Sequence, residues 1–508
     1  MKLLLLLLVA LATVVVAMPP RKLRAGVPEK PYRYGQPKEG RKLVCYYGSW
    51  AVYRPGPGKY DIEDIDPFLC THLVFGFAAL DNTTWQITAF DPWNDLDDNG
   101  GKGAYRRFNA LRQINPALTT IIAIGGWNEG SEKYSDMASI PERRATFVQS
   151  CVQFVQLHGF DGLDMDWEYP SYRGGAEEDK IHFAALLREL KVAFSAAGLL
   201  LTSAVSPSRV TIDDAYDIQA LIETLDIINV MAYDYHGAWD TYVHHNAPVH
   251  GHALDSGNNT YFNVEFTINY WVELMGVHSD RLTMGLPLYS RGFTLDDPAL
   301  NQIYDNATEA GIAGPYTRQV GVLGYNELCE IHRDQGEAFQ THWLDDLKAK
   351  YVIFERDGIR NQWFSYDDID ALAEKMALID ALPIGGAMVW SVETDDFQNT
   401  CGEGKNPLLN YILRSLNGFV PTPDPDRTTV SPPSSTTKPS VTIPGDDVCA
   451  QAGINPTGPC SGNYVICAPN GAEWIVTQGS CPPGLVINPE ILNCDYPDHV
   501  AGCQKKKH

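Results

Sequence analysis

The sequence predicts an α/β chain: a (β/α)8 TIM barrel with a small α+β insertion between strands seven and eight, then a small disulfide-rich β module at the carboxyl end. Three observations carry this. From residue 42 onward, eight short β-rich runs alternate with amphipathic helical patterns. The runs are continuously apolar, which is how strands of a parallel sheet covered on both faces read. Six of the eleven cysteines crowd the last sixty residues, behind a stretch dominated by Pro, Ser and Thr.

In chain order, Lys2 precedes an apolar run over residues 3–16, and Val15-Val16-Ala17 offers a cleavage point after Ala17. That run is too short to span a bilayer comfortably. Residues 1–17 therefore read as a removable secretory signal, with an uncleaved anchor as the alternative. No other segment has the apolar length to cross a membrane, so the mature chain is expected to be soluble, extracellular and without a membrane partner. Residues 18–41, rich in Pro, Lys and Arg, read as a mobile basic arm or propeptide.

Strands are expected at 42–47, 72–77, 120–125, 162–167, 200–205, 227–233, 282–288 and 385–390. Helices are expected at 105–114, 142–158, 178–197, 214–224, 262–275 and 366–380. The gap between the last two strands is too long for one connection, so residues near 293–360 read as the insertion within a barrel domain spanning 42–418. Residues 419–446, including Pro432-Pro433-Ser434-Ser435-Thr436-Thr437, cannot build a core and read as an extended linker. A six-cysteine module over 447–503 and a basic tail over 504–508 complete the chain. Asn82, Asn258 and Asn306 each open an N-x-Thr acceptor.

A formal charge of −24 argues against a nucleic-acid partner, which would need phosphate neutralisation, whereas a neutral polymer tolerates such a surface. In an exported chain the tail cysteines read as a disulfide scaffold. Zinc is the rival reading, but the tail has no CxxC pair and only His499 besides the terminal His508. Neither a metal nor a cofactor is expected. Cys45 and Cys70 lie on or beside neighbouring strands one and two, where a bridge is geometrically sensible. Cys151, on a helical pattern, is the candidate for a buried free thiol.

The chemistry concentrates in residues 160–170. If that stretch is a strand, Asp164, Asp166 and Glu168 share a face, and Asp161 has the opposite parity. Like charges that close cannot all ionise, so one proton is held near neutral pH, as a general acid requires. The plainer alternative is that these acids cap strand ends or sit in ion pairs. Phe160, Leu163, Met165 and Trp167 interleave with them, and no Lys or Arg lies in the stretch, which favours a functional cluster.

Chemistry in a barrel sits at the carboxyl ends of its strands. Those ends carry Trp50, Phe77, Trp127, Glu168, Tyr233 with Asp234, Tyr289 with Arg291, and Trp390. Aromatic faces around a few carboxylates suit the apolar face of a pyranose.

The block Asp161-Gly162-Leu163-Asp164-Met165-Asp166-Trp167-Glu168 resembles the DGxDxDxE signature of the family 18 glycoside hydrolases, specifically secreted animal chitinases. Supporting blocks are Lys42-Leu43-Val44-Cys45-Tyr46, Gly125-Gly126-Trp127, Met231-Ala232-Tyr233-Asp234, Pro287-Leu288-Tyr289-Ser290-Arg291 and Gly386-Ala387-Met388-Val389-Trp390. The tail is similar to the invertebrate six-cysteine, peritrophin-like chitin-binding module. The resemblance implies an endo-acting chitinase working on chitin and N-acetylglucosamine oligomers, and the chain is expected to be a monomer. Glu168 would protonate the scissile oxygen, and the substrate's own acetamido carbonyl would attack the anomeric carbon. Asp166 would orient the acetamido group and support the oxazolinium, Asp164 would tune Asp166 by sharing a proton, and Asp161 would be structural. Tyr233 and Asp234 would hold the acetamido group over a floor of Trp390. Tyr46, Phe77, Trp127, Asn128, Tyr289 and Arg291 would line the groove.

The resemblance also implies a Cys329–Cys401 pair and, among fifteen possible tail pairings, Cys449–Cys467, Cys460–Cys503 and Cys481–Cys494. The sequence departs from the pattern at Ala123, where Ser is usual, at Ser290, where Gly is common, and at Ile487, where an aromatic is frequent. Tyr464 and Trp474 remain as stacking residues in the tail. The competing functions are a non-catalytic lectin on the same barrel, a lining protein that binds through its tail, and an endoglycosidase that trims N-linked glycans.

Overall fold

The computed structural model describes residues 40–416 apart from Asp357, and the backbone of five tail strands, Gly453–Pro456, Asn463–Asn470, Glu473–Ser480, Val486–Asn488 and Asn493–Asp495. The expected signal segment, nearly all of the basic arm, the linker and the basic tail lie outside the described residues. The chain divides into two compact units, Met1–Thr422 and Pro423–His508.

In the first unit, eight parallel strands form the barrel: Lys42–Gly48, His72–Asp81, Thr119–Gly125, Gly162–Asp166, Leu200–Val205, Ile227–Val230, Leu282–Pro287 and Gly386–Trp390. The first strand pairs with the eighth at Lys42 and Gly386 and with the second at Val44 and His72, which closes the sheet and leaves no open barrel edge. Helices Ala104–Ile114, Pro141–His158, Asp179–Ala197, Val264–Met275 and Ile369–Ala381 fall within a few residues of their expected places. Their starts follow capping chemistry: Pro141 opens one helix, and the side chains of Asn263 and Asp368 accept first-turn amides of two others.

Three expectations need correction. The helix expected over 214–224 is two short helices, Arg209–Ala215 and Ile218–Thr224. Asp217 caps the second by accepting from the Ala220 amide, and its φ of −81° and ψ of 100° interrupt the helical path. The sixth strand ends at Val230 rather than at residue 233. There the Ala232 amide donates to the Val230 carbonyl and Tyr233 to Met231, two three-residue turns that curl the chain off the ladder. The insertion is also wider than 293–360. Its antiparallel sheet runs from strand Tyr289–Thr294, directly after barrel strand seven, to strand Ile359–Tyr366. It has a core of its own, centred on Phe293, Leu295, Tyr351 and Trp363.

Cys45 and Cys70 form a disulfide, as do Cys329 and Cys401, and Cys151 is buried and free. Closing loops of 25 and 72 residues stabilises the fold by roughly 3–4 kcal/mol each in a chain-entropy account. The tail pairings expected for Cys449, Cys460, Cys467, Cys481, Cys494 and Cys503 lie outside what is described, since only the backbone of Cys467 and Cys494 is. Stacking by Tyr464 and Trp474 is outside it for the same reason. Among the described residues, no helix is long and apolar enough to cross a membrane.

Candidate active site

The fourth strand alternates as a strand must: Asp164 and Asp166 share one face, with Leu163 and Met165 on the other. Glu168 lies just past the last ladder position, at the barrel mouth. All three carboxyl groups are withdrawn from solvent, at 0%, 2% and 9% exposure. Asp161 precedes the strand, at the opposite end of the barrel. There it accepts from the Thr120 amide at 2.8 Å and pairs with Arg112.

Asp164 rests in a cradle of donors. The Tyr46 hydroxyl donates to Oδ2 at 2.7 Å, while the Thr202 hydroxyl and the Asn229 amide donate to Oδ1. Thr283 holds the Asn229 oxygen at 2.7 Å and so fixes which way that amide points. Burial raises the Asp164 pKa above the ordinary carboxylate value, and these donors offset part of that rise. Ala123 flanks Asp164 in register on the third strand and Thr202 flanks it on the fifth. The hydroxyl missing at 123 therefore has a counterpart on the other neighbour.

Asp166 is treated in the opposite way. Its Oδ1 is buried with no hydrogen-bond partner. Burial, then the charges of Glu168 and Asp164, hold its pKa well above the ordinary carboxylate range. Burial likewise pushes Glu168 up to about 7; a Tyr169 hydrogen bond and the Arg173 charge oppose the rise, and Asp234 adds to it. Acids next to acids keep a proton within the cluster at neutral pH.

Glycines let the backbone close in around this pair. Gly125 has φ +114°, and a Cβ there would lie 2.1 Å from the Asp166 carbonyl. Gly126 has φ +82°, and its Cβ would press on the Phe77 ring at 2.9 Å. The Gly126 amide donates to the Asp166 carbonyl at 2.8 Å.

The chain flanking Glu168 is pinned on both sides. Trp167 Nε1 donates to the Ser131 hydroxyl at 2.6 Å, and that hydroxyl donates to the Tyr169 carbonyl at 2.6 Å. Arg173 Nη1 donates to the Glu168 carbonyl at 3.0 Å.

Aromatic faces collect beside the acids. Trp390 lies 5.8 Å from Phe77, 6.1 Å from Trp50 and 5.5 Å from Tyr46, centroid to centroid. Trp127 is 58% exposed, and its neighbour Asn128 is exposed too. On the far side, Asp234 accepts from Tyr289 at 2.6 Å and from Arg291 through both carboxylate oxygens. Burial keeps the Tyr233 phenol protonated, with its hydroxyl 3.6 Å from Met388 Sδ. Tyr46 does not line the groove as expected. At 1% exposure it lies beneath the acids as the donor to Asp164, because the inward-facing residues of a barrel strand fill its core.

Sequence reasoning missed Thr202, Asn229, Ser131, Arg173 and the half-exposed Trp239, over which the Arg291 guanidinium sits at 5.1 Å. Thr202 and Asn229 carried a usable signal, since each is a polar side chain inside an otherwise apolar barrel strand. Arg173 carried none, being one loop arginine among many.

A buried carboxyl that keeps its proton at neutral pH, set among flat apolar faces the size of a sugar ring, is the working part of a glycoside hydrolase. The model of Glycosyl hydrolases family 18 matches residues 42–395, and that of the Chitin binding Peritrophin-A domain matches 449–503. The chain belongs to family 18 of the glycosyl hydrolases and carries a peritrophin-A domain. It is 41% identical over 417 residues to a probable chitinase 2 of Drosophila melanogaster, covering 77% of this chain and 84% of that one. The Group IV chitinase of Ostrinia furnacalis, also solved with allosamidin, is 40% identical with a TM-score of 0.70, over 74% of this chain and 99% or 100% of that one. Human YKL-39, described as a pseudo-chitinase with retained chitooligosaccharide binding, is 34% identical with a TM-score of 0.67, over 74% of this chain and 100% of that one.

Proposed function

We propose that this chain is a secreted, endo-acting chitinase. It would cut β-1,4 bonds between N-acetylglucosamine units with retention, by a substrate-assisted route. The observation that carries the reading is the contrast between Asp164, supplied with donors, and the proton-holding pair Asp166 and Glu168 beside it.

Glu168, with its pKa raised to about 7, donates to the glycosidic oxygen as the bond breaks and then takes a proton from the incoming water. Asp166, whose Oδ1 lacks a partner, accepts from the substrate's acetamido N–H and steadies the positive charge of the oxazolinium. Asp164, whose carboxylate is met by three donors below, favours the shared proton on the other two. Tyr233, a protonated phenol, donates to the acetamido oxygen from across the cleft. Trp390, Phe77 and Trp127 give sugars flat faces to stack on.

The test is product analysis on soluble N-acetylglucosamine oligomers with the intact protein and Glu168→Gln. Cleavage by the first and binding without cleavage by the second supports the enzyme. Binding without cleavage by both would place the chain with the non-catalytic lectins.

The peritrophin-A domain supports chitin as the polymer, because a tether raises the barrel's local concentration at an insoluble surface. Cutting the chain within residues 421–444 should lower the rate on crystalline chitin several-fold and leave soluble oligomers unaffected. Equal losses on both would remove the tail from substrate delivery.

A further inference from the structure

The loop that follows Glu168 holds two non-glycine residues in the left-handed region, Ser171 at φ +67° and Arg173 at φ +53°. Such backbone costs about 1 kcal/mol or more per residue and persists only where contacts over-determine it. For Arg173 those contacts are explicit. Its guanidinium carbon sits 3.6 Å from the Trp127 ring centroid. The same group donates through Nη1 to the Trp127 carbonyl at 2.8 Å and to the Glu168 carbonyl at 3.0 Å. The loop is anchored farther on by Asp179, which accepts from the Ala176 amide at 2.9 Å and the Ser135 hydroxyl at 2.7 Å.

One side chain thus ties the wall residue after strand three to the main chain of the acid after strand four. A planar guanidinium can lie flat on an indole while its N–H groups reach two carbonyls, whereas an ammonium has no planar face to stack. We infer that Arg173 is a positioning residue, setting both the Trp127 face presented to an N-acetylglucosamine oligomer and the seat of the Glu168 carboxyl. This rests on Glu168 being the proton donor.

Charge gives the clamp a second effect. The ionisable groups facing Glu168 are Asp166 on its own strand, Asp234 after strand six, Arg173, and the phenols of Tyr169, Tyr216 and Tyr233. Arg173 is the cation of that set and opposes the two acids.

The experiment uses the full chain and a soluble N-acetylglucosamine pentamer, comparing wild type, Arg173→Lys and Arg173→Gln. Loss of the stack in both variants should raise KM about two- to fivefold, the size of one exposed cation–π contact. Only Arg173→Gln should also move the alkaline limb of kcat/KM upward, by a fraction of a pH unit, because Lys keeps the charge. An unchanged KM in both variants, or an equal shift of the limb in both, overturns the inference. Glu168→Gln in the same panel separates the two readings. If it hydrolyses at the wild-type rate, the acid assignment fails. The pentamer affinity of the Glu168→Gln, Arg173→Lys double variant, weaker than that of Glu168→Gln alone, still supports the clamp on Trp127, and an equal affinity overturns it.

Discussion

The two ends of the fourth barrel strand carry the same chemistry and receive opposite treatment. At the amino end, Asp161 has the Thr120 amide and hydroxyl on one oxygen and Arg112 on the other. At the carboxyl end, Asp166 has a buried oxygen with no donor and an acid on either side. The first arrangement satisfies a charge and joins strands three and four. The second leaves charge unsatisfied, which costs stability and is useful only if something else completes the site. Acidic residues five apart in one motif thus divide into structure and chemistry, and the strand's direction decides which is which.

The largest effect expected at the chemical end is from Glu168→Gln, which should lower kcat by about 10²–10⁴-fold. Single-turnover rates and calorimetric binding of an oligomer check this, with affinity expected to hold. Asp166→Asn should follow, losing roughly 10–100-fold in kcat while its melting temperature rises, since the substitution removes a buried carboxyl that resists ionising. A variant that lost both activity and stability would contradict the view of this end as unsatisfied by design.

The same contrast has a pH signature. The Glu168 pKa rises from an ordinary 4.5 to about 7 on folding, chiefly through burial. Between those values the folded state binds more protons than the unfolded one, so this group's contribution to stability falls as pH rises. That contribution is fully present below about 4.5 and lost through about 7. Glu168→Gln should therefore gain stability relative to wild type on going from pH 4.5 to pH 8, by on the order of 1 kcal/mol or more. Chemical denaturation at both pH values measures it, and an equal difference at each would remove Glu168 from the raised-pKa role.

Much of this was readable from the chain alone, for identifiable reasons. Period-two spacing fixes the face of Asp164 and Asp166 whatever surrounds them, and continuous apolar runs separated by helices leave few topologies besides a closed parallel barrel. The misplacements are where tertiary hydrogen bonds outweigh local pattern. Tyr46 reads as a mouth residue in sequence, but two further residues of the first strand follow it, and its hydroxyl belongs to Asp164. The sixth strand reads as longer because Met231, Ala232 and Tyr233 are apolar, whereas the amides of Ala232 and Tyr233 turn back to the carbonyls of Val230 and Met231. Arg173 had no spacing rule to announce it, since its contacts join two loops that meet only in the fold.

The smallest effect tests the amino end. Asp161→Ala removes an acceptor from the Thr120 amide and the partner of Arg112, both at a partly exposed site where solvent weakens ion pairs. The loss should be about 1–2 kcal/mol of stability, most of it from the stranded Thr120 donor rather than from the charge pair. Asp161→Asn keeps an acceptor oxygen and should lose less than half of that. Neither should change kcat on soluble oligomers by more than twofold, because the strand's eight-stranded closure, not this side chain, seats Glu168 at the other end. A tenfold fall in kcat with an intact melting transition would mean that the two ends of the strand are coupled, and the division between them would have to be given up.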